Sequence, residues 1–190
     1  RGDLGIEVPM ERLPIIQKEI IRKCIQRARP VIVATQMMDS MINNPGPTRP
    51  EVTDVANAVL DGTDAVMLSG ETSVGRSPEL VVQAMNAIIA EAEKVYEIGM
   101  KRPKSNDKSG TFVSDVVCSA AAWTAQNVGA RGIVGMTRSG YTAFKLSSFS
   151  PRGKIYIFSD LKHMLKTMSL CWGVRCFHCD NFTSTDQTVE

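Results

Sequence analysis

The sequence has no long apolar run and no excess of charge of one sign. None of its apolar stretches approaches the roughly 18 residues of a membrane-spanning helix, so we expect no membrane span. It holds 22 Lys and Arg against 20 Asp and Glu, which gives a formal net charge of +2. We therefore expect no binding to nucleic acid or to a membrane surface, because both need a concentrated basic face.

The cysteines are too irregular in number and spacing for a disulfide framework. There are five, an odd number: Cys24, Cys118, Cys171, Cys176 and Cys179. Residues 1–10 carry Arg1, Asp3 and Glu7, where a secretory signal would have an apolar core. A reducing, cytoplasmic setting is the simplest interpretation. The chain also begins without Met, and we interpret it as a piece of a longer protein.

Apolar runs alternate with segments of helical period, which is typical of an α/β protein with parallel sheets. We expect strands at 31–35, 65–69, 132–137, 154–159 and 174–179. We expect helices at 14–28, from a Thr48 cap to 61, from a Ser77 cap to 98, from a Ser114 cap to 129, from an Asp160 cap to 170, and from Ser184 onwards. Two strands cannot close a sheet with helices on both sides, so the first half belongs to something larger.

One charged stretch containing Pro and Gly interrupts this alternation. Residues 101–111 read Lys-Arg-Pro-Lys-Ser-Asn-Asp-Lys-Ser-Gly-Thr and have no apolar period. The composition indicates a linker between two domains, at 1–100 and 112–190.

Polar residues follow the two strands predicted in the first domain. Thr35 ends the first strand, and Ser69-Gly70-Glu71 ends the second. Arg1-Gly2-Asp3 joins them if a strand precedes it. Ligands of parallel α/β folds bind beyond the carboxyl ends of the strands, so this rim is the candidate site. The alternative is that these residues merely cap the helices that follow.

Two further patterns resemble binding motifs only in part. Gly70, Gly75 and Arg76-Ser77 nearly match a phosphate-binding loop, but Arg replaces the Lys and Pro78 removes an amide. Cys176-Phe177-His178-Cys179 offers a single pair of cysteines, whereas a structural zinc site needs four ligands. We therefore expect neither a nucleotide loop nor a zinc site, and we interpret the Met37, Met38 and Met41 side chains as packing residues.

Four motifs of the first domain occur together in a specific order. They are Arg1-Gly2-Asp3-Leu4-Gly5, Ala34-Thr35-Gln36-Met37 with Ser40-Met41, Thr48-Arg49 with Asp54-Val55-Ala56-Asn57-Ala58-Val59, and Met67-Leu68-Ser69-Gly70-Glu71-Thr72. In this order and spacing the chain resembles the pyruvate kinase family. The resemblance implies the last part of a (β/α)₈ TIM barrel, followed by a parallel-sheet α/β C-terminal domain of three αβα layers.

The resemblance also implies an activity, its cofactors and its partners. The family transfers a phosphoryl group from phosphoenolpyruvate to ADP, giving pyruvate and ATP, and uses Mg²⁺ (or Mn²⁺) and usually K⁺. Asp3 matches a metal-binding carboxylate. Gly2 and Asp3 match substrate-binding positions, and Thr35 matches a threonine that binds substrate near the protonated face of the enolate.

Three more positions carry roles implied by the family. Ser69 and Glu71 match rim residues linked to proton relay through water. Arg49 matches a position near the subunit contact of what is usually a homotetramer. The catalytic lysine and the second metal carboxylate of the family lie on the strand that precedes Arg1. We therefore expect no kinase activity from this chain alone.

The second domain offers a separate ligand site. Thr137, Arg138, Ser139, Gly140, Tyr141 and Thr142 follow a strand and open a helix. In the family this loop holds the phosphate of a sugar-phosphate effector. The alternative is a Ser139 helix cap without a ligand. Two other functions stay open: a non-catalytic phosphate-binding or assembly module, and another barrel enzyme acting on phosphoenolpyruvate or pyruvate.

Overall fold

The computed structural model describes residues 1–95 and 110–180. It divides the chain into two compact units, Arg1–Glu97 and Ile98–Glu190. The predicted linker at 101–111 lies outside the described residues except for Gly110 and Thr111, which form a turn. The end of the predicted helix 78–98 and the helix expected from Ser184 also lie outside them.

The first unit alternates helices with two short strands. Its helices are α1 (Leu4–Glu7), α2 (Leu13–Gln26), α3 (Arg49–Leu60), α4 (Gly70–Ser73) and α5 (Pro78–Val95). Its strands are β1 (Ile32–Ala34) and β2 (Ala65–Met67), and short 3₁₀ turns span Met10–Arg12 and Asp39–Ile42. The strands are parallel, with Ile32 opposite Ala65 and Ala34 opposite Met67. Their carboxyl ends therefore lie side by side.

Helices α2, α3 and α5 and the two strands enclose one apolar core. It contains the buried residues Ile21, Val33, Met37, Met38, Met41, Val55, Ala58, Val81 and Met85. The three methionines after β1 are at most 1% exposed, which confirms that they pack in the core. This core fixes the two strands beneath the loops that follow them.

The second unit has a three-stranded parallel sheet in the order β3-β4-β5. Its elements are α6 (Phe112–Asn127), β3 (Gly132–Met136), α7 (Tyr141–Ser147), β4 (Lys154–Ser159), α8 (Lys162–Met168) and β5 (Val174–His178). Ile155 and Ile157 of β4 are fully buried against residues of the three helices. Their neighbours Tyr156 and Phe158 are only half-buried, as expected for alternating faces of a strand.

Of the predicted helix caps, the structure confirms Thr48 and contradicts Ser114 and Asp160. Thr48 and Glu51 form the predicted capping box at the start of α3. The predicted Ser114 cap is wrong, because α6 begins at Phe112, after Thr111, and Ser114 lies in its first turn. The predicted Asp160 cap is also wrong, because α8 begins after Leu161, and Asp160 instead pairs with Arg138.

The part of the chain that the structure describes has no helix that is both long and apolar enough to cross a membrane.

Candidate functional site

The opening turn of the chain lies against the carboxyl end of β1. A Cβ atom built on Gly2 would lie 3.9 Å from Oγ1 of Thr35. The Arg1 guanidinium donates to the Thr35 carbonyl oxygen from Nε at 3.0 Å and from Nη2 at 2.6 Å. Nη2 also donates to the Gln36 carbonyl oxygen at 2.7 Å. Two of the three rim segments predicted from the sequence therefore meet.

The backbone at the end of β1 has an unusual conformation. Thr35 and Gln36 have φ angles of +68° and +51°, in the left-handed region that L residues rarely adopt. The strand therefore ends at Ala34, one residue before its predicted end. Backbone strain of this kind persists only where surrounding contacts enforce it, and it is concentrated at functional sites.

The Thr35 hydroxyl is the strongest sign of a ligand at this rim. Its Oγ1 atom is buried and has no hydrogen-bond partner among the described residues. Buried hydroxyls are normally satisfied, and an unsatisfied one needs an explanation. The Oγ1 atom faces Gly2 of the opening turn, where a side chain is missing.

A groove of about 280 Å³ runs from this turn along β1 and α2. Arg1, Gly2, Asp3 and Thr35 line its polar end, and the rest of the lining is apolar except for Gln17 on α2. The carboxylate-bearing residue, Asp3, is exposed. A small anionic or polar ligand fits the polar end, where the backbone amides before α1 have no intrahelical partner.

The second rim loop is organised around Glu71. This residue is 1% exposed, and its carboxylate accepts hydrogen bonds from the amides of Met38 at 3.1 Å and Ser69 at 2.7 Å. Burial raises the pKa of Glu71, but hydrogen bonds from the backbone outweigh burial and hold its pKa below the usual value. The carboxylate thus ties the loop after β2 to the loop after β1.

Ser69 and Glu71 stand apart from the polar end of the groove. Neither is among the described residues that line it. The structure therefore brings together Gly2, Asp3 and Thr35, and it places Glu71 beneath the rim as a bridge between loops. Sequence reasoning identified position 71 but not this use of its carboxylate.

The described residues provide little for a metal ion. Residues 1–95 and 110–180 contain no group of three or more His, Cys, Asp or Glu side chains arranged to hold one. Asp3 offers a hard carboxylate oxygen of the kind that Mg²⁺ prefers. It is a single ligand, so these residues do not by themselves fit a divalent-metal site.

The near match to a phosphate-binding loop is not used as one. The amides of Val74 and Gly75 both donate to the Gly70 carbonyl oxygen, each at 3.1 Å. A Cβ on Gly75 would lie 2.1 Å from the Glu71 carbonyl oxygen, so this glycine serves close packing of the turn. These amides are consumed inside the loop, and they do not form a cradle for phosphate.

In the second unit, the loop between β3 and α7 satisfies two of its own amides. Thr137 Oγ1 accepts from the Gly140 amide at 3.0 Å, and Ser139 Oγ accepts from the Tyr141 amide at 3.3 Å. Gly140 has φ +77° and occupies the N-cap of α7, so Ser139 is not the N-cap residue of this helix. Thr142, the last residue of the predicted loop, is half-buried in the first turn of α7.

The same loop carries the exposed cation Arg138, and a carboxylate from the loop after β4, Asp160, lies against it. The Arg138 side chain is 70% exposed, and its Nη2 lies 3.2 Å from Oδ2 of Asp160. Asp160 Oδ1 is buried without a hydrogen-bond partner in the described residues. An anion at this loop would therefore have to compete with Asp160 for Arg138.

Sequence reasoning missed a buried polar cluster beside this loop. Lys145 Nζ lies 3.3 Å from Oδ2 of Asp115, and both side chains are less than 10% exposed. The Tyr141 hydroxyl donates to the same carboxylate. Burial, and then this hydrogen bond, raise the pKa of Tyr141. A lysine one helical turn after Tyr141, between apolar residues, was the available signal.

Arg49, the predicted interface residue, is exposed at the first position of α3.

The chain matches two domain models of one protein family. The model of the pyruvate kinase barrel domain matches residues 1–82, and the model of the pyruvate kinase alpha/beta domain matches residues 115–190. Both parts of one enzyme thus appear in their own order within the chain.

The chain belongs to the pyruvate kinase family. Pyruvate kinase of Clostridium acetobutylicum is 41% identical over 100% of this chain and 40% of its own length. That of Corynebacterium efficiens is 44% identical over 98% of the chain and 38% of its own length. The chain therefore spans less than half the length of these pyruvate kinases.

A solved pyruvate kinase has the same fold. The crystal structure of a pyruvate kinase from Cryptosporidium parvum matches with a TM-score of 0.88 and 34% identity, over 100% of this chain and 39% of that one. The predicted fold class, the end of a TIM barrel followed by an α/β domain, is thereby confirmed.

Proposed function

We propose that this chain is part of a pyruvate kinase, in which the complete protein transfers a phosphoryl group from phosphoenolpyruvate to ADP to form pyruvate and ATP. The unsatisfied Oγ1 of Thr35, facing Gly2 at the end of β1, carries the proposal. This hydroxyl has no hydrogen-bond partner in the described residues, so a bound substrate can supply one.

The residues of the opening turn bind the substrate. The amides of Gly2 and Asp3 precede α1 and donate to the substrate carboxylate, where backbone N–H groups favour an anion. Thr35 Oγ1 bonds the same molecule from the other side and orients the carbon that gains a proton. Positioning and stabilisation of charge dominate catalysis of phosphoryl transfer.

Mg²⁺ or Mn²⁺, together with K⁺, completes the proposal. Bound metal ions would neutralise charge on the transferring group. Asp3 is the one described carboxylate at the groove, so the remaining ligands come from elsewhere. For the same reason, the 190-residue chain by itself has no kinase activity. Ser69 and Glu71, which match family residues linked to proton relay through water, are further candidates for that role.

The test is a pair of Thr35 variants in the full-length protein. Pyruvate formation from phosphoenolpyruvate and ADP is measured with and without Mg²⁺. Thr35→Ala should lower kcat about 10²–10⁴-fold, the usual range for loss of a proton-transfer contact, whereas Thr35→Ser keeps the hydroxyl and most of the activity. Equal activity of the two variants would remove Thr35 from the mechanism. Pyruvate release without ADP would indicate another enzyme of phosphoenolpyruvate.

The loop Thr137–Thr142 is proposed to bind the phosphate of a sugar-phosphate effector through Arg138. The exposed guanidinium supports this role. A sugar bisphosphate should lower the KM for phosphoenolpyruvate in the full-length protein, and Arg138→Ala should abolish the effect. A non-catalytic phosphate-binding module is the alternative, and it predicts effector binding in a protein without kinase activity.

The complete protein is further proposed to be a cytoplasmic homotetramer with Arg49 at a subunit contact. The exposed position of Arg49 at the start of α3 supports its role at a subunit contact. Arg49→Glu should shift the full-length protein to a smaller species in light scattering. An unchanged mass would remove Arg49 from the interface.

A further inference from the structure

The Arg1 side chain makes contacts that the proposed reaction does not yet use. Its guanidinium reaches across the rim, and the side chain is only 16% exposed. It binds three groups: the carbonyl oxygen of Thr35, the carbonyl oxygen of Gln36, and the carboxylate of Asp54 on α3. A planar guanidinium can make several hydrogen bonds at once with fixed geometry, which a lysine cannot.

The two carbonyls that Arg1 binds belong to the two residues with left-handed backbone. Neither Thr35 nor Gln36 is a glycine, so each is unfavourable at its φ of +68° or +51°. In this conformation both carbonyl oxygens point towards Arg1. The same backbone turn sets the direction in which the Thr35 side chain leaves the main chain.

Asp54 fixes Arg1 in turn. This carboxylate lies on α3, whose Val55 and Ala58 are fully buried in the core of the first unit. The ion pair therefore links the opening turn to a helix that is held by packing. Arg1 has a rigid support, and the strained turn has a partner that opposes its relaxation.

We propose that Arg1 is a positioning residue. Its guanidinium holds Thr35 and Gln36 in the left-handed conformation, and it thereby aims Thr35 Oγ1 at a ligand bound by the opening turn. The consequence for catalysis rests on the proposed function, but the effect on the backbone does not. Arg1 acts through Thr35 and need not touch the substrate.

The test is a double-mutant cycle in the full-length protein. Arg1→Met should lower kcat about 10²-fold, the typical loss when a reacting group is misplaced by about 1 Å. Because Arg1 acts through Thr35, the double variant Arg1→Met/Thr35→Ala should match Thr35→Ala within about twofold. A double variant whose loss equals the product of the two single losses would overturn the proposal. Arg12→Met, at an exposed arginine outside the groove, serves as the control.

Two further measurements separate positioning from loss of folding. Free guanidinium should restore activity to Arg1→Ala in a saturable manner and leave Arg12→Ala unchanged, and failure to restore it counts against the proposal. A crystal structure of the Arg1→Met protein should show Thr35 outside the left-handed region. Retention of a φ near +68° in this variant would overturn the proposal, whether or not the full-length protein has kinase activity. Absence of kinase activity in the full-length protein would defeat only the proposed function.

Discussion

The carboxylate of Glu71 is used almost entirely by the backbone around it. It accepts from amides in both rim loops, and these bonds lower its pKa in spite of its burial. An ionised buried carboxylate is stable only when donors surround it in this way. The residue therefore holds the loops in place, whatever part it takes in proton transfer.

Glu71→Gln should destabilise the protein by about 1–3 kcal/mol near neutral pH, because its amide group would face backbone donors that it cannot satisfy. A lowered pKa in the folded state means that the stabilisation is present above the usual glutamate pKa of 4.5. It is lost as the pH falls through the folded value. The gap between wild type and variant should thus close below pH 4.5 in urea denaturation. The exposed Glu79→Gln is the control, and a gap that is independent of pH would contradict this account.

For single residues, the sequence predicts a position in the site more readily than a backbone conformation. Thr35 was found because it follows an apolar run, and the rule about strand ends needs only the order of elements. Its left-handed backbone was not predicted, because a β-branched threonine normally avoids that region. The conformation depends on Arg1, whose distance along the chain hides the contact.

The capping box of α3 also joins two elements. Glu51 accepts from the Thr48 amide and hydroxyl, and from the Ser40 amide and hydroxyl in the preceding 3₁₀ turn. Burial raises the pKa of Glu51, but these hydrogen bonds outweigh it and lower the pKa overall. One carboxylate thus sets the start of the helix and the path of the turn before it.

Glu51→Ala should therefore cost more than Thr48→Ala. We expect about 1–3 kcal/mol for the glutamate, which releases both segments, and about 0.5–2 kcal/mol for the threonine, which releases only the cap. Urea denaturation measures both. Thr53→Ala, further along the same helix, is the control and should stay within about 0.5 kcal/mol. Equal losses for Glu51 and Thr48 would show that the Ser40 bonds contribute nothing.

The buried Asp115–Lys145 pair connects α6 to α7. Removing one partner leaves an uncompensated charge, so Lys145→Met should cost about 3–5 kcal/mol. Adding Asp115→Asn should recover part of that loss, with a coupling of about 0.5–3 kcal/mol. The exposed Lys162→Met serves as the control. Thermal melts measure Lys145→Met, Asp115→Asn, the double variant and the control, and strictly additive losses would contradict the pairing.

The order of helices and strands was predictable because apolar period and turn residues repeat clearly. The starts of α6 and α8 were not. Ser114 and Asp160 are good cap residues by type, but α6 begins earlier and Asp160 binds Arg138 instead. Propensity alone does not decide between a local cap and a tertiary partner.

The sheet of the first unit stops at two strands within the described residues. Ile32 and Met67 are each 43% exposed, and β1 offers an edge without a partner on its far side. Free strand edges promote pairing with other chains. The 190-residue chain produced alone should therefore associate, with a light-scattering mass above that of a monomer.

Ile32→Lys should reduce this association, because a charge on an edge strand opposes pairing. Ile15→Lys is the matched control, since Ile15 is an exposed isoleucine on α2, and it should have little effect. A single monomeric species of the unsubstituted chain would refute the expectation. The sequence predicts only two strands before the linker, too few to close a sheet with helices on both sides. Which strands would pair with β1 cannot be derived from residues 1–95.

The left-handed pair after β1 also constrains which sequences this turn accepts. At position 36 the side chain is exposed, so glycine or asparagine should be enriched there in a library selected for folding. At position 35, selection for folding should also favour glycine, whereas selection for enzyme activity should favour a residue with a hydroxyl group. Ranking variants by abundance and by activity should therefore diverge at 35 and agree at 36.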